Sequence, residues 1–426
     1  MITRIEATRY RCLERVAVDL PSFCVLVGAN GAGKSTFLDI PGLLGDCLKQ
    51  RDVATAFITR QDERAPRCST LRELIFCGQG DDFILAIEAR LPDEVIRRLL
   101  PSQGAAVQSD PKRWLTGLRY EIRLELFNER WLAVRNEYLF LFSESTTPGR
   151  GEARLHGEVS PRREWRFIIR REYGGEAEFR VETQARGRAR AAHVDETMLA
   201  LPRAQFESGE DFPAASWILD LLVGGTLFYH PDLERLKRAS PPGLSPGMMA
   251  DAANLPWLAM GLMREDAPRY ALWIEHVRTA LPQIREIRVR EREEDHHAYF
   301  VVTYASGHEV TSSGLSEGTL QILAHTLLPY LNNLPALILT EEPENGIHPR
   351  AIEAVLQSLS SVYDAQVLVS SHSPVVLAHC KLDQLLCSRL EENGAATLMA
   401  GNRHPRLAQW RGQVDLGALF AAGVLG

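Results

Sequence analysis

The chain is poor in lysine. Only Lys34, Lys49, Lys112, Lys237 and Lys381 are lysines among 48 Lys plus Arg residues. An arginine excess of this kind reflects genome composition, not guanidinium-based recognition. Net positive charge is also lacking: 48 cations against 55 Asp plus Glu leave −7. That balance excludes a general nucleic-acid-coating protein and leaves room for a local basic groove. No CxxC occurs among Cys12, Cys24, Cys47, Cys68, Cys77, Cys380 and Cys387. The odd count and the spacing exclude a zinc knuckle or hook and a disulfide framework, and imply a reducing cytosol. No apolar run is long enough to span a bilayer. Leu416–Gly426 is too short, and the uncharged stretch Gly318–Thr340 is broken by Gln321, His325, Pro329, Asn332, Asn333 and Pro335. Met1–Arg11 already holds three arginines and a glutamate with no apolar segment following, so a signal peptide is not expected. Internal repeats and long heptad arms are missing as well. With 45% hydrophobic and 24% charged residues, the 426 residues read as a folded chain of about three domains.

The organisation follows from hydrophobic period. Phe23–Val27 is a continuous apolar run, as for a strand buried on both faces. Gly28–Ser35 then lead into a helical opening, Thr36–Ile40, which Pro41-Gly42 should kink or end early. From about residue 83 to 182 the pattern is β. Leu118–Leu126 alternates at period two, and Glu164–Ile168 does so more loosely, which predicts an antiparallel sheet with a wet face. Thr146–Glu164 reads as an exposed loop or hairpin tip. From about 211 to 284 the period is helical, with Ser240–Gly247 as a Pro-rich connector. Two strands follow Ile287, then a helix from Thr319, then strand–turn–helix units to about His379. These segments set expected domains at 1–205, 206–290 and 291–426.

Gly28-Ala29-Asn30-Gly31-Ala32-Gly33-Lys34-Ser35 fits GxxxxGK[ST] completely. Glycines let backbone N–H groups turn inward around a β-phosphate. Lys34 bridges β- and γ-phosphates, and the Ser35 hydroxyl, followed by Thr36, suits Mg²⁺. The buried strand before it and the helix after it meet the structural context that the motif needs. The loop by itself does not choose among kinases, GTPases, AAA+ machines and ABC-type ATPases.

The second half narrows the choice. Ala336–Thr340 read as a short buried strand ending in Glu341 and Glu342, where a phosphate-loop protein places a Mg²⁺ acid and a hydrolytic acid. The pair also reads as an acidic turn capped by Pro343. Gln366–Ser370 is another buried strand, ending in Ser371-His372-Ser373-Pro374. His372 there can touch a γ-phosphate, or the serines can simply cap the next helix. Gly314-Leu315-Ser316-Glu317-Gly318-Thr319 precedes a helical run. Ser316 serves equally as an N-cap and as a second anion turn.

Order joins these pieces. Ser316 follows Lys34 by 282 positions, Glu342 follows Ser316 by 26, and His372 follows Glu342 by 30. Phosphate loop, signature turn, acid strand, histidine strand is the order of ABC-type ATPases. The chain resembles the RecF/SMC/OLD branch of that superfamily, in particular compact "AAA family ATPases" associated with phage defence. Tyr10-Arg11, Val16–Leu20 and the Phe23 strand are similar to that family's opening. The likeness covers roughly residues 1–45 and 310–380. It implies an α/β fold: an ABC-type head with a two-lobed mixed sheet, an antiparallel β subdomain and a helical insertion. It further implies ATP and Mg²⁺ as cofactors. Gly28, Asn30, Gly31, Ala32, Gly33, Lys34, Ser35 and Thr36 would bind ATP, Ser35 and Glu341 the Mg²⁺, and Glu342 and His372 would be catalytic. Ser316, Glu317 and Gly318 would contact ATP from the opposite copy, and Glu344–His348 would form the D-loop. Both Gln61 and Gln79 qualify as the Q-loop residue.

Two departures stand out. Glu341 replaces the usual aspartate and adds a methylene to the Mg²⁺ shell. LSEGT replaces LSGGQ, so Glu317 opposes ATP-driven closure unless it points away. Only 54 residues follow His372, too few for a Toprim nuclease, and long coiled coils are missing. The resemblance therefore implies a cytoplasmic ATPase, not itself a nuclease and not membrane-bound, that works as a homodimer or higher even oligomer. Its expected partner is a separately encoded effector such as a nuclease or toxin. A RecF-like repair ATPase acting on DNA, and an ATP-locked scaffold with little turnover, are the alternatives. Residues 150–190 carry eleven Arg against seven Glu, a net +4 that suits a solvated hairpin or a DNA-backbone contact.

Overall fold

The computed structural model describes residues 1–61, 64–148, 164–172, 176–184, 189–206 and 211–404. Most of the loop expected at Thr146–Glu164, part of the arginine-rich stretch and the apolar tail lie outside them. Two compact units divide the chain. The first comprises Met1–Pro21, Gly31–Thr226 and Ser388–Met399; the second comprises Ser22–Asn30, Leu227–Cys387 and the stretch from Ala400. No helix among the described residues is long and apolar enough to cross a membrane.

In chain order the first strands are β1 (Ile2–Tyr10), β2 (Leu13–Asp19), β3 (Phe23–Val27), β4 (Asp82–Arg90), β5 (Gly117–Phe127), β6 (Trp131–Phe142), β7 (Arg166–Arg171), β8 (Ala177–Phe179) and β9 (Arg190–Ala192). All but β3 form one antiparallel sheet of the first unit, ordered β2-β1-β4-β5-β6-β7-β8-β9. The predicted antiparallel sheet is present, but its polar face is not wet. Arg119 is 6% exposed and Glu88 1%. The Arg119 guanidinium bonds Glu6 at 2.7 Å, Glu88 at 3.0 Å and Glu121 at 2.7 Å, and Arg4 joins Glu6 to Asp19. Alternating Arg and Glu here encode a buried ion cluster, tolerable because the charges are paired within and across strands.

The remaining strands are β10 (Thr226–Phe228), β11 (Ile284–Glu291), β12 (Ala298–Tyr304), β13 (Glu309–Thr311), β14 (Leu337–Glu341), β15 (Gln366–Ser371), β16 (Leu385–Leu390) and β17 (Ala396–Ala400). The second unit carries the order β10-β14-β15-β3-β16, and β14, β15, β3 and β16 run parallel. β16 continues into the first unit and pairs there with β17. The three-stranded antiparallel sheet β11-β12-β13 and helices Leu255–Glu265, Ala267–Ala280, Glu317–Thr326 and Pro349–Ser360 complete the second unit. Val25, Trp273, Phe300, Leu323, Ile338 and Val369 belong to one buried cluster of this unit. The segment expected to be helical also supplies β10, whose chain continues with Tyr229 N–H bonding Leu339 O at 2.7 Å.

Candidate functional site

All five residues of β3 are buried, so the sheet delivers the chain to Gly28 at a fixed place. Gly31 (φ 79°) and Gly33 (φ 84°) take the left-handed conformation that glycine permits. Gly33 has a steric reason too: a Cβ there would stand 2.7 Å from Ala396 Cβ and 3.0 Å from Cys12 Sγ. The Ser388 hydroxyl donates to the Ala32 carbonyl, tying the loop to β16. Lys34 is 7% exposed while Ser35 faces solvent. The helix ends at Leu38, as expected, and Pro41 falls in the first turn of a second helix, Ile40–Lys49, where its missing N–H costs nothing. Arg67, almost buried, bonds both Asp39 at the break and Asp46 (2.8 Å), fixing the two helices at their joint.

In the second unit three strand ends align. Glu341 of β14 pairs in register with Ser370 of β15, and Ser371 pairs with Val27 of β3. Glu341, Glu342, His372 and the start of the phosphate loop, Gly28–Asn30, therefore leave one sheet edge. The Glu342 N–H donates to Ser370 O at 2.8 Å, holding Glu342 at φ 46°, a strained conformation for a side-chain-bearing residue. Its carboxylate is clamped on both oxygens: Oε1 lies 2.7 Å from His372 Nδ1, and Oε2 accepts from Asn345 Nδ2 at 2.8 Å. Glu341 Oε1 is buried with no hydrogen-bond partner. Glu344, 7% exposed, accepts from the Ser371 hydroxyl, and burial pushes its carboxyl above the usual range.

Asn345 and Ser371 were not separable as functional by sequence. The available signals are an Asn three residues after the second acid, closing its turn (Asn345 N–H to Glu342 O, 3.0 Å), and a Ser directly before the histidine.

Ser316 caps helix Glu317–Thr326, accepting from Thr319 N–H at 3.2 Å, yet remains exposed. Glu317 bonds Lys237 Nζ at 2.9 Å, and Lys237 also bonds Glu234 at 2.8 Å. The Glu317 charge is thus turned toward a cation of the same unit. A Cβ on Gly318 would stand 2.5 Å from Gly346 O, so the signature turn rests directly on the loop after β14. The Gln61 amide is engaged with Gln50, Thr55 and Thr59, while Gln79 is exposed in a loop. Gly31–Thr36 belong to the first unit, and Ser316–Gly318 with the acids and His372 to the second.

A phosphate loop, an acid strand beside a histidine strand and a serine turn on a mixed α/β scaffold are the elements of an ABC-type ATPase head. Residues 23–378 match the family described as "AAA domain, putative AbiEii toxin, Type IV TA system", and the chain belongs to that family. The fold is similar to that of the Smc head bound to the C-winged-helix domain of ScpA, with a TM-score of 0.52, 13% identity, and coverage of 93% of this chain and 97% of that one. An Smc head with an extended coiled coil, bound to the ScpA C-terminal domain and derived from Pyrococcus furiosus, gives 0.46 at 12% identity, covering 93% and 95%. The SMC head domain from Thermotoga maritima gives 0.41 at 10%, covering 94% and 98%. No curated protein matches the chain. The chain accordingly belongs to this AAA-domain family and has the fold of an SMC-type ABC ATPase head.

Proposed function

We propose that the protein is a Mg²⁺-dependent ATPase switch that closes as a dimer on ATP and reopens on hydrolysis. The observation that carries this reading is Glu342, set at the end of β14, one strand removed from the phosphate-loop strand β3 across β15, and held on both oxygens by His372 and Asn345. Gly28–Thr36 hold the triphosphate through inward N–H groups and the Lys34 ammonium. The buried, unpartnered Glu341 oxygen suits a hard cation. Bound there, Mg²⁺ supplies charge neutralisation on the β- and γ-oxygens. Glu342 orients a water and draws on its proton as the water oxygen attacks the γ-phosphorus and the bond to ADP breaks. His372, kept in place by Glu342, contacts the departing phosphoryl group.

Ser316 and Gly318 act across the dimer, since their turn is solvent-facing and its acid is neutralised by Lys237. The toxin–antitoxin wording of the family supports a cytoplasmic defence role with a separately encoded effector over a DNA-repair role. That an Smc head carries ScpA supports a head surface that docks a partner.

The test uses the full chain and its Ser316→Arg and Lys34→Ala variants. Wild type should release phosphate from Mg-ATP and dimerise with ATP by light scattering. Ser316→Arg should bind ATP yet stay monomeric, with turnover lost. Ser316→Arg that still dimerises and turns over refutes the trans site, and Lys34→Ala that still binds ATP refutes the phosphate-loop assignment.

A further inference from the structure

The first unit contains a cavity of about 800 Å³ that none of the residues assigned to ATP handling lines. Its walls come from the loop after Pro101, the end of β6, β7 and the end of β8. The volume falls within the ~300–1,000 Å³ usual for small-ligand sites.

Three features of its lining point to a ligand. The first is Gln103. It is 9% exposed, and both its Nε2 and its Oε1 are buried without any hydrogen-bond partner. A buried amide left with neither a donor nor an acceptor partner is unfavourable, and a bound molecule offering both would satisfy it. The second is charge: Arg113, Arg166, Arg170 and Arg180 face two glutamates. Arg170 is paired with Glu172, whereas Arg113 and Arg180 form no ion pair among the described residues. Among the described residues Arg166 is bonded to neutral acceptors, Ser102 Oγ (2.8 Å), Val181 O (3.2 Å) and Gln184 O (2.6 Å). Burial disfavours its charge, so an anion brought beside it would be stabilised. The third is Phe167, a half-buried ring on the wall that packs edge-on to Tyr138 and against Phe140. It offers an apolar surface to a planar group.

We propose that this cavity is a second ligand site, distinct from the ATP site, for a nucleoside phosphate. Arginines take the phosphate, and the Gln103 amide reads a base edge that presents an adjacent donor and acceptor, as adenine does. The same chemistry is carried by a free mononucleotide and by the 5′ end of a nucleic-acid strand. The site belongs to the β subdomain, so occupancy there gives the ATPase an input separate from ATP itself.

The experiment titrates 5′-AMP and 5′-phosphorylated hexadeoxyadenylate into the full chain by calorimetry, in wild-type and Lys34→Ala backgrounds. At least one probe binds with equal affinity in both. Gln103→Leu weakens that binding at least tenfold, and so does the double variant Arg113→Ser with Arg180→Ser, both of whose positions are exposed. Binding of AMP alone identifies a free nucleotide as the source, and binding of the hexamer alone identifies a strand end. No binding of either probe overturns the proposal. So does binding lost in Lys34→Ala, or binding unchanged in both cavity variants.

Discussion

Glu342→Gln separates chemistry from architecture at the proposed site. The amide is isosteric with the carboxylate, and its hydrogen bonds survive. Its oxygen accepts from Asn345 Nδ2, and its NH₂ donates to His372 Nδ1 in the tautomer that leaves that nitrogen unprotonated. What disappears is the charge and the ability to take a proton. Loss of a general base typically lowers a rate about 10²–10⁴-fold, which corresponds to roughly 3–5 kcal/mol in the barrier. Folding should suffer far less. The clamp is part-exposed, at 31% for Glu342 and 44% for His372, so turning charge-assisted bonds into neutral ones costs about 1 kcal/mol or less. Calorimetry should therefore show ATP binding near wild type, scanning fluorimetry a small shift, and a phosphate-release assay a loss of at least about a hundredfold. Light scattering should show a dimer accumulating with ATP. Turnover within about tenfold of wild type, at saturating ATP with the fold intact, would refute Glu342 as the hydrolytic acid.

Gly318→Ala places a methyl 2.5 Å from Gly346 O, so destabilisation of about 1–3 kcal/mol and a displaced acid-strand loop are expected; unchanged melting and turnover would contradict the contact. Burial lifts the Glu182 carboxyl to about 7 despite its bonds from Ala214 and Ala215 N–H. The folded state then holds that proton more tightly than the unfolded chain. Stability from this group is full below about pH 4.5 and falls by about 3 kcal/mol as pH rises through 7. Glu182→Gln should flatten melting temperature between pH 5 and 8, and an identical pH profile would contradict this. Lys237→Met should leave the melting temperature near wild type, the pair being a surface one, but raise the KM for ATP several-fold by unpairing Glu317; an unchanged KM would place Glu317 away from the nucleotide.

What sequence made legible is contiguous. Gly28–Ser35 carry their chemistry in eight adjacent residues, and the predominantly apolar strands ending at Val27, Thr340 and Ser370 announce a buried parallel sheet by composition. What it hid is pairing across distance. Period-two alternation in β5 tells which residues share a face but not what faces them. The carboxylates that bury Arg119 come from β1 and β4 as well as from its own strand. Lys237 and Glu317 are 80 positions apart, so the neutralising partner of the unusual signature acid had no local signal. The close approach of Gly318 to Gly346 was equally silent, because a glycine in a turn has a conformational reason to be there before it has a packing one.

The two departures from the family pattern have different physical solutions. At the signature, the added carboxylate is met by an added ammonium: Lys237 turns Glu317 back into its own unit, so the turn can approach phosphate without presenting an unpaired negative charge. At the acid strand nothing is added. Glu341 keeps one buried oxygen outside any hydrogen bond, so the carboxylate is not consumed by the protein and stays available to a cation despite its longer stem. Mg²⁺ held there would keep several waters of its own, which would leave room for the extra methylene. In the proposed cycle the first departure would bear on how readily two copies close, and the second on how tightly metal is held. A charge change at position 237 and a Glu341→Asp exchange should act on separate parameters, the former on ATP-driven dimerisation and the latter on the Mg²⁺ concentration at half-maximal turnover. Coupled effects of the two on both parameters would show that the signature and the acid strand are not independent.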